Sequence, residues 1–305
     1  MKQVLVIVGP TGVGKTKLSI ALAKEYGYEI ISGDSMQIYK GMDIGTAKVT
    51  KEEMDGVFHH LIDVKNIDEN YSCADYQYEV RKKIDEILER GKKALIVGGT
   101  GLYLRSCLYD YTFTKEENDD SISEKYKEYT NEELYDYLSK IDKEAARILH
   151  PNNRRRVLRA IEIYEKSGVT KSENINKQEH KLIYDALILG LDLERKALHE
   201  RQNKRVDQMI DEGLEEEVRN LYNQKGFLEG TASKAIGYKE FFPYFENQIT
   251  INEVIDSIKI HTHQYAKRQY TWFRNQMKVN WIIVNLEDFN KTIEDAKKIV
   301  NNWLK

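Results

Sequence analysis

Val4-Leu5-Val6-Ile7-Val8-Gly9-Pro10-Thr11-Gly12-Val13-Gly14-Lys15-Thr16 decides the fold class. Five apolar residues, rich in β-branched types, run into a G-x-x-x-x-G-K-[ST] loop. A helical pattern follows, with Leu18, Ala21 and Leu22 on one face. Strand, loop and helix in that order are the context in which the loop binds phosphate. Glycines at residues 9, 12 and 14 let the backbone turn tightly enough for successive N–H groups to face an anion. The helix N-terminus adds a favourable potential. Lys15 is suited to neutralise phosphate charge, and the Thr16 hydroxyl to ligate Mg²⁺. The motif specifies a polyphosphate or pyrophosphate, bound by residues 9–16. It does not specify a nucleotide.

Outward from this loop, further apolar runs at residues 29–32, 60–64, 94–97, 185–191 and 281–284 read as buried strands. Helical patterns lie between most of them, as at residues 76–90 with Val80, Ile84, Ile87 and Leu88. Such alternation predicts an α/β fold with a parallel sheet covered by helices. Residues 115–178 contain no strand pattern and several helical ones, so they read as an all-helical insertion. Asn131 before Glu132 and Glu133 looks like a helix cap, and the acidic stretch 115–123 like a linker. Beyond the last long strand, residues 197–222 and 249–278 read as two long helices.

The chain has 305 residues, 41% hydrophobic and 32% charged, ample for a core and incompatible with wholesale disorder. Cys73 and Cys107 are too few for a disulfide framework, which makes a reducing, cytoplasmic setting the expectation. No apolar run reaches the roughly 20 residues of a membrane helix. A net charge of −3 argues at first against a nucleic-acid partner, but it averages over faces. Residues 115–144 hold eleven acids against five Lys/Arg, whereas 145–170 hold six Lys/Arg against two acids. The basic part includes Arg154-Arg155-Arg156-Val157-Leu158-Arg159, either a polyanion-facing surface or a solvated helix face. Residues 257–278 carry five Lys/Arg, no acid and interleaved aromatics. That mixture suits base stacking with phosphate contact, though aromatics at helical spacing also build cores.

Ser32-Gly33-Asp34-Ser35-Met36-Gln37 ends the second strand, at the side where open α/β sheets bind ligands. Asp34 is placed either to take a proton from an attacking group or to cap a following helix. Gly98-Gly99-Thr100-Gly101 follows the fourth strand, as a ligand-approach loop or simply a turn. Arg201 and Arg205, one helical turn apart, could reach a phosphate or remain surface charges. The histidines at 59, 60, 261 and 263 lack metal-site spacing.

Together these motifs resemble the bacterial tRNA dimethylallyltransferase (tRNA isopentenyltransferase) family. The resemblance rests on Gly9–Thr16, on residues 33–48 (G-D-S-M-Q-I-Y-K-G-M-D-I-G-T-A-K), on His59-His60-Leu61-Ile62-Asp63 and on residues 98–103. It continues through residues 150–162, 213–221, Ala235-Ile236-Gly237-Tyr238-Lys239-Glu240 and residues 265–274, in family order over nearly the whole chain. It implies a P-loop NTPase-like core of residues 1–114 and 184–305, with a helical tRNA-binding insertion at 115–183. It implies transfer of a dimethylallyl group from dimethylallyl diphosphate to N6 of adenosine 37, beside the anticodon, in tRNAs reading codons that start with U. Residues 9–16 would then hold a diphosphate leaving group, with Thr16 on Mg²⁺. The resemblance carries Asp34 over as the base, Arg205 as a pyrophosphate contact and Thr100 as a contact at the reacting nucleotide. It assigns Asp34, Ser35, Met36, Gln37, Arg155, Arg156, Val157, Leu158 and Arg159 to tRNA contact. The partners expected are the tRNA anticodon loop and dimethylallyl diphosphate, no membrane, and a monomeric chain. Rival readings are an adenylate or free-nucleotide isopentenyltransferase, a small-molecule kinase and an RNA-binding protein with a vestigial phosphate site.

Overall fold

A computed structural model describes residues 1–113 and 121–305. The chain runs β1 (Gln3–Val8), α1 (Lys15–Tyr26), β2 (Tyr28–Ser32), α2 (Lys51–Met54), β3 (His59–His60), α3 (Cys73–Glu89), β4 (Lys93–Gly98) and α4 (Gly101–Leu108). Next come α5 (Ser121–Lys125), α6 (Asn131–Ile141), α7 (Lys143–Ile148), α8 (Arg154–Ser167) and α9 (Lys171–Asn176). The chain closes with β5 (Asp185–Asp192), α10 (Arg195–Asp211), α11 (Leu214–Tyr222), α12 (Phe242–Phe245), α13 (Ile251–Gln276), β6 (Asn280–Ile283) and α14 (Phe289–Leu304). Two compact units result. One joins residues 1–108 to 182–305, and the other is 109–181. The sequence boundaries of 114/115 and 183/184 lie six and two residues C-terminal to the observed ones at 108/109 and 181/182. In the smaller unit the Asp110 N–H donates to the Lys181 carbonyl, and the Asp110 carboxylate accepts from the N–H groups of Glu179 and Lys181. That pairing draws residues 109–113 and 177–181 into the unit. The expected linker falls largely on residues 114–120, outside the described residues.

All six strands of the larger unit are parallel, in the order β3-β2-β4-β1-β5-β6. The central strands are apolar throughout because helices cover both faces. Residues 4–8 have no exposed surface, and Leu5, Ile7, Leu18, Leu22, Leu95 and Leu189 share one core with α1 and α14. Each such side chain contributes about 1.5–3 kcal/mol by leaving water.

Register brings three strand ends to one level. Val8 pairs with Gly98, and Ser32 with Val97. The loops after β1, β2 and β4 therefore open side by side. The crossing is tight: Gly33 N–H donates to Val97 O at 2.7 Å, and a Cβ at Gly98 would stand 2.2 Å from the Gly33 carbonyl oxygen.

Three local expectations change. The strand expected at 60–64 is only His59–His60, because Leu61 (φ 60°) and Asp63 (φ 55°) turn the backbone out of the ladder. The cap of α6 is Thr130: its hydroxyl accepts the Glu133 N–H while the Glu133 side chain accepts the Thr130 N–H, and Asn131 is the first helical residue. The helix expected at 197–222 breaks into α10 and α11 at Gly213, whose φ of 97° suits glycine. Gly98→Ala forces a Cβ onto a backbone oxygen that cannot yield. It is expected to cost about 2–4 kcal/mol in urea unfolding. A loss under about 0.5 kcal/mol would show that the two strand ends are not rigidly held.

Candidate active site

The loop between β1 and α1 is held from behind by its carbonyl oxygens. Lys15 Nζ donates to Gly9 O (2.9 Å) and Pro10 O (2.8 Å). From α10, Gln202 Nε2 donates to Thr11 O (2.8 Å) and Arg201 Nε to Gly12 O (3.0 Å). Four successive carbonyls are thus engaged by side chains, which orients the intervening N–H groups for an anion. Gly9, Gly12 and Gly14 take φ of 149°, 83° and 109°, which this curl requires. Thr16 lies exposed in the first turn of α1. Arg201 accordingly braces the loop through a carbonyl instead of standing as a free surface charge.

Asp34 follows β2. Its Oδ1 accepts the Met36 N–H at 2.8 Å, so it forms a side-chain turn, and no helix follows it for Asp34 or Ser35 to cap. Its charge acts on Lys15, Arg205, Tyr103 and Tyr265, which places all four around it. Thr100 faces it from the β4 loop: Thr100 Oγ1 accepts the Ser35 N–H at 3.2 Å. Ser35, Met36 and Gln37 are half-buried in this turn.

The second glycine loop is shaped by α13. A Cβ on Gly99 would stand 2.2 Å from Gln269 Nε2, and one on Gly101 2.2 Å from the Trp272 ring. Gln269 Nε2 donates to Gly99 O at 2.9 Å. These two glycines admit a helix. Tyr265, one turn before Gln269, hydrogen-bonds with Thr100, and burial together with the Asp34 charge pushes its hydroxyl up to about 12. It stays a neutral hydroxyl in the field of Asp34 at physiological pH.

Arg205 is largely sequestered, and burial lowers its pKa from the ordinary arginine value. It donates to the Ala47 carbonyl at 3.4 Å. Gln37 Nε2 reaches Thr46 O (3.3 Å) and Ala47 O (3.4 Å) of the same loop. Lys48, its side chain only 6% exposed, ties that loop to Tyr39 O (2.8 Å), Asp43 and Asp63 (both 2.6 Å). From the sequence, Tyr265 stands out only as one of the aromatics interleaved in residues 257–278, and Gln202 and Lys48 do not stand out as site residues. For Gln202 a signal existed: it is polar at an apolar helical position, between Leu198 and Val206, and only 1% exposed.

Two of the histidines pair with buried glutamates. His60 Nε2 lies 2.7 Å from Glu29, which Arg90 also grips, and His261 lies 2.7 Å from Glu240. Among the described residues no cluster of three His, Cys, Asp or Glu could hold a metal. On α13, Lys259 and Arg274 pair with Asp207 and Asp192, while Lys267, Arg268 and Lys278 are exposed.

In the smaller unit, α6 and α8 pack around Leu134, Leu138, Val157, Ala160 and Ile161. Val157 is fully buried, so its side chain belongs to this core, a correction to its assignment as an RNA-facing residue. Leu158 is half-buried against the same cluster. Arg154 is structural: its guanidinium donates to the carbonyls of Tyr126 (2.7 Å), Lys127 (3.1 Å) and Tyr129 (2.5 Å). Arg155, Arg156 and Arg159 are exposed, Arg159 with Glu162 at 2.8 Å. Burial and the charges of Arg156 and Arg159 lower the Lys171 pKa, so Lys171 extends this basic surface.

A parallel α/β sheet with a Gly-rich phosphate loop after β1 and a carboxylate after β2 defines a P-loop-type enzyme core. The family model for IPP transferase matches residues 37–276, and the chain belongs to that family. It is 53% identical to a tRNA dimethylallyltransferase of Bacillus pumilus over 284 residues, 92% of this chain and 89% of that protein. It also resembles the solved tRNA isopentenylpyrophosphate transferase of Bacillus halodurans (44% identity, TM-score 0.77, 100% and 97% of the two chains). A eukaryotic dimethylallyltransferase solved acting on tRNA is similar at 32% identity and TM-score 0.87, over 99% of this chain and 79% of that one. Among the described residues no helix is long and apolar enough to cross a membrane.

Burial lowers the Lys15 ammonium to about 8, an effect that Asp34 opposes and Arg205 reinforces. A diphosphate binds the charged form. Above pH 8 the free loop carries neutral Lys15, and binding must take up a proton. With the ionisation of pyrophosphate itself accounted for, affinity is therefore expected to be flat below pH 8 and to fall by up to about tenfold per pH unit above it. Calorimetry in two buffers of different ionisation enthalpy reads the proton uptake. Affinity independent of pH from 7 to 9.5 would contradict this.

Proposed function

We propose that the crevice at the carboxyl ends of β1, β2 and β4 transfers a dimethylallyl group from dimethylallyl diphosphate to N6 of adenosine 37 in tRNAs reading codons that start with U. The observation carrying this reading is the Asp34 carboxylate beside Lys15 and Arg205 at the mouth of a diphosphate loop. The chain is a tRNA dimethylallyltransferase by its family. The chemistry fits the residues. The N6–C1 bond forms as the C1–O bond breaks, the N6 proton passes to Asp34, and pyrophosphate leaves. Charge grows on the departing oxygens, where Lys15, Arg205 and the loop amides are fixed donors, and such preorganised stabilisation is usually the largest catalytic effect. A positioned carboxylate base adds about 10²–10⁴-fold.

The donor set also suits Mg²⁺. The Thr16 hydroxyl is exposed at the first turn of α1 and is a hard oxygen ligand. When bound, the ion offsets diphosphate charge and eases departure of the leaving group. The acceptor base sits in a stacked loop and must be unstacked into the crevice, at a cost of a few kcal/mol. On this reading Ser35, Met36, Gln37 and Thr100, gathered in the turn beside Asp34, would contact such a base. Arg155, Arg156, Arg159 and Lys171 supply phosphate-binding charge on the insertion.

The test offers labelled dimethylallyl diphosphate and Mg²⁺ with unmodified tRNA, with AMP, and with ATP plus small alcohols. Label on one adenosine beside the anticodon is expected, with AMP at least a hundredfold poorer in kcat/KM (order of magnitude). Transfer to AMP alone would replace this reading with that of a free-nucleotide enzyme, and phosphorylation of an alcohol with that of a kinase.

A further inference from the structure

Two segments that contribute to the family resemblance, residues 213–221 and 235–240, supply none of the crevice groups described above. They meet at the loop of residues 43–48. Glu217 of α11 accepts the N–H groups of Asp43 (3.0 Å), Ile44 (2.8 Å) and Gly45 (3.1 Å), and the Tyr238 hydroxyl at 2.6 Å. Three successive amides aimed at one carboxylate form an anion nest filled from within the protein. The Tyr238 ring, fully buried, occupies the space a Gly45 side chain would need: a Cβ there would stand 2.4 Å from it. Glu240, also buried, accepts the Gly237 N–H at 2.8 Å and meets His261 of α13 at 2.7 Å, which fixes the turn carrying Tyr238.

The other end of the same loop reaches the crevice. Ala47 takes φ 47°, a left-handed conformation that costs a non-glycine residue of order 1 kcal/mol and persists only where its surroundings impose it. Its carbonyl is the shared acceptor of Arg205 and Gln37. One short loop therefore has its amides held by Glu217 and offers a carbonyl to two residues of the site.

We propose that Glu217 is a positioning residue for the transfer reaction. By fixing the amides of residues 43–45 it sets the Ala47 carbonyl, and through it the placement of Arg205 and Gln37. The inference rests on the reading of Arg205 as a diphosphate contact. Glu217→Gln keeps the shape but turns an NH₂ toward converging donors. It is expected to weaken magnesium pyrophosphate binding about tenfold and to lower kcat/KM for dimethylallyl diphosphate about 30-fold.

The deciding measurement is a double-mutant cycle with Arg205→Lys, read by calorimetry with magnesium pyrophosphate. If Glu217 acts through Arg205, Glu217→Gln costs less than about threefold once Arg205 is lysine. Independent, multiplying losses would overturn the proposal, since a merely structural glutamate would produce them. If Glu217→Gln does not fold, Tyr238→Phe enters the same cycle, because it keeps the ring beside Gly45 and removes one donor. Unchanged pyrophosphate affinity in Arg205→Lys overturns the Arg205 reading and this inference together. Transfer to tRNA by the unaltered chain is judged separately, so the two failures remain distinct.

Discussion

The close passage of the Gly33 and Gly98 backbones is the constraint on which the crevice depends. With a Cβ position at Gly98 only 2.2 Å from the Gly33 carbonyl, β2 and β4 end at one height, and Val8 of β1 pairs with the same Gly98. Asp34, Thr100 and the phosphate loop then emerge together. α13 closes on this arrangement because Gly99 and Gly101 leave room for Gln269 and Trp272. Side chains at these glycines would push the helix away and carry Tyr265 from Thr100. Backbone proximity, set by missing side chains, thus places the chemical groups.

Charge is arranged around that geometry before any ligand arrives. Lys15 rests on the carbonyls of its own loop, while Gln202 and Arg201 hold the next two. On the proposed reading, a diphosphate would give Lys15 stronger, charged partners than these carbonyls. The loop itself need not rearrange, because α10 still holds it. The depressed Lys15 pKa and the largely sequestered Arg205 show the cost of cations kept from water, offset by Asp34 at Lys15 and by Glu53, Glu212 and Asp34 at Arg205. A bound anion relieves that cost. In the proposed reaction, binding energy would in this way be directed to the diphosphate, whose charge grows as the bond breaks.

The sheet was legible because its strands are continuous apolar runs bounded by turn residues. The register of Val8, Ser32 and Gly98 was not, since no local pattern encodes which strands are neighbours. Asp34 could be found from its place after β2, yet its turn with Met36, in place of a helix cap, and the charged groups around it were not legible in the sequence. The expected strand at 60–64 misled because Ile62 and Val64 follow residues in left-handed conformations, which apolar composition does not reveal. In the arginine cluster, composition could not separate Arg154, which caps a turn, from Arg155 and Arg156, which face solvent. Buried Val157 shows that an amphipathic helix assigns roles residue by residue. The net charge of −3 conceals this basic face because acids dominate the preceding segment.

On the proposed reading Asp34 takes the proton from the acceptor amine beside a held diphosphate. Asp34→Asn tests it most directly, because asparagine retains an oxygen for the Met36 N–H and so preserves the turn. The measurement is single-turnover transfer to tRNA at saturating dimethylallyl diphosphate, alongside the dissociation constant for tRNA. The expected result is a rate lower by about a thousandfold with tRNA affinity within about threefold of the unaltered chain. A rate within tenfold, or lost tRNA binding with intact chemistry, would contradict it.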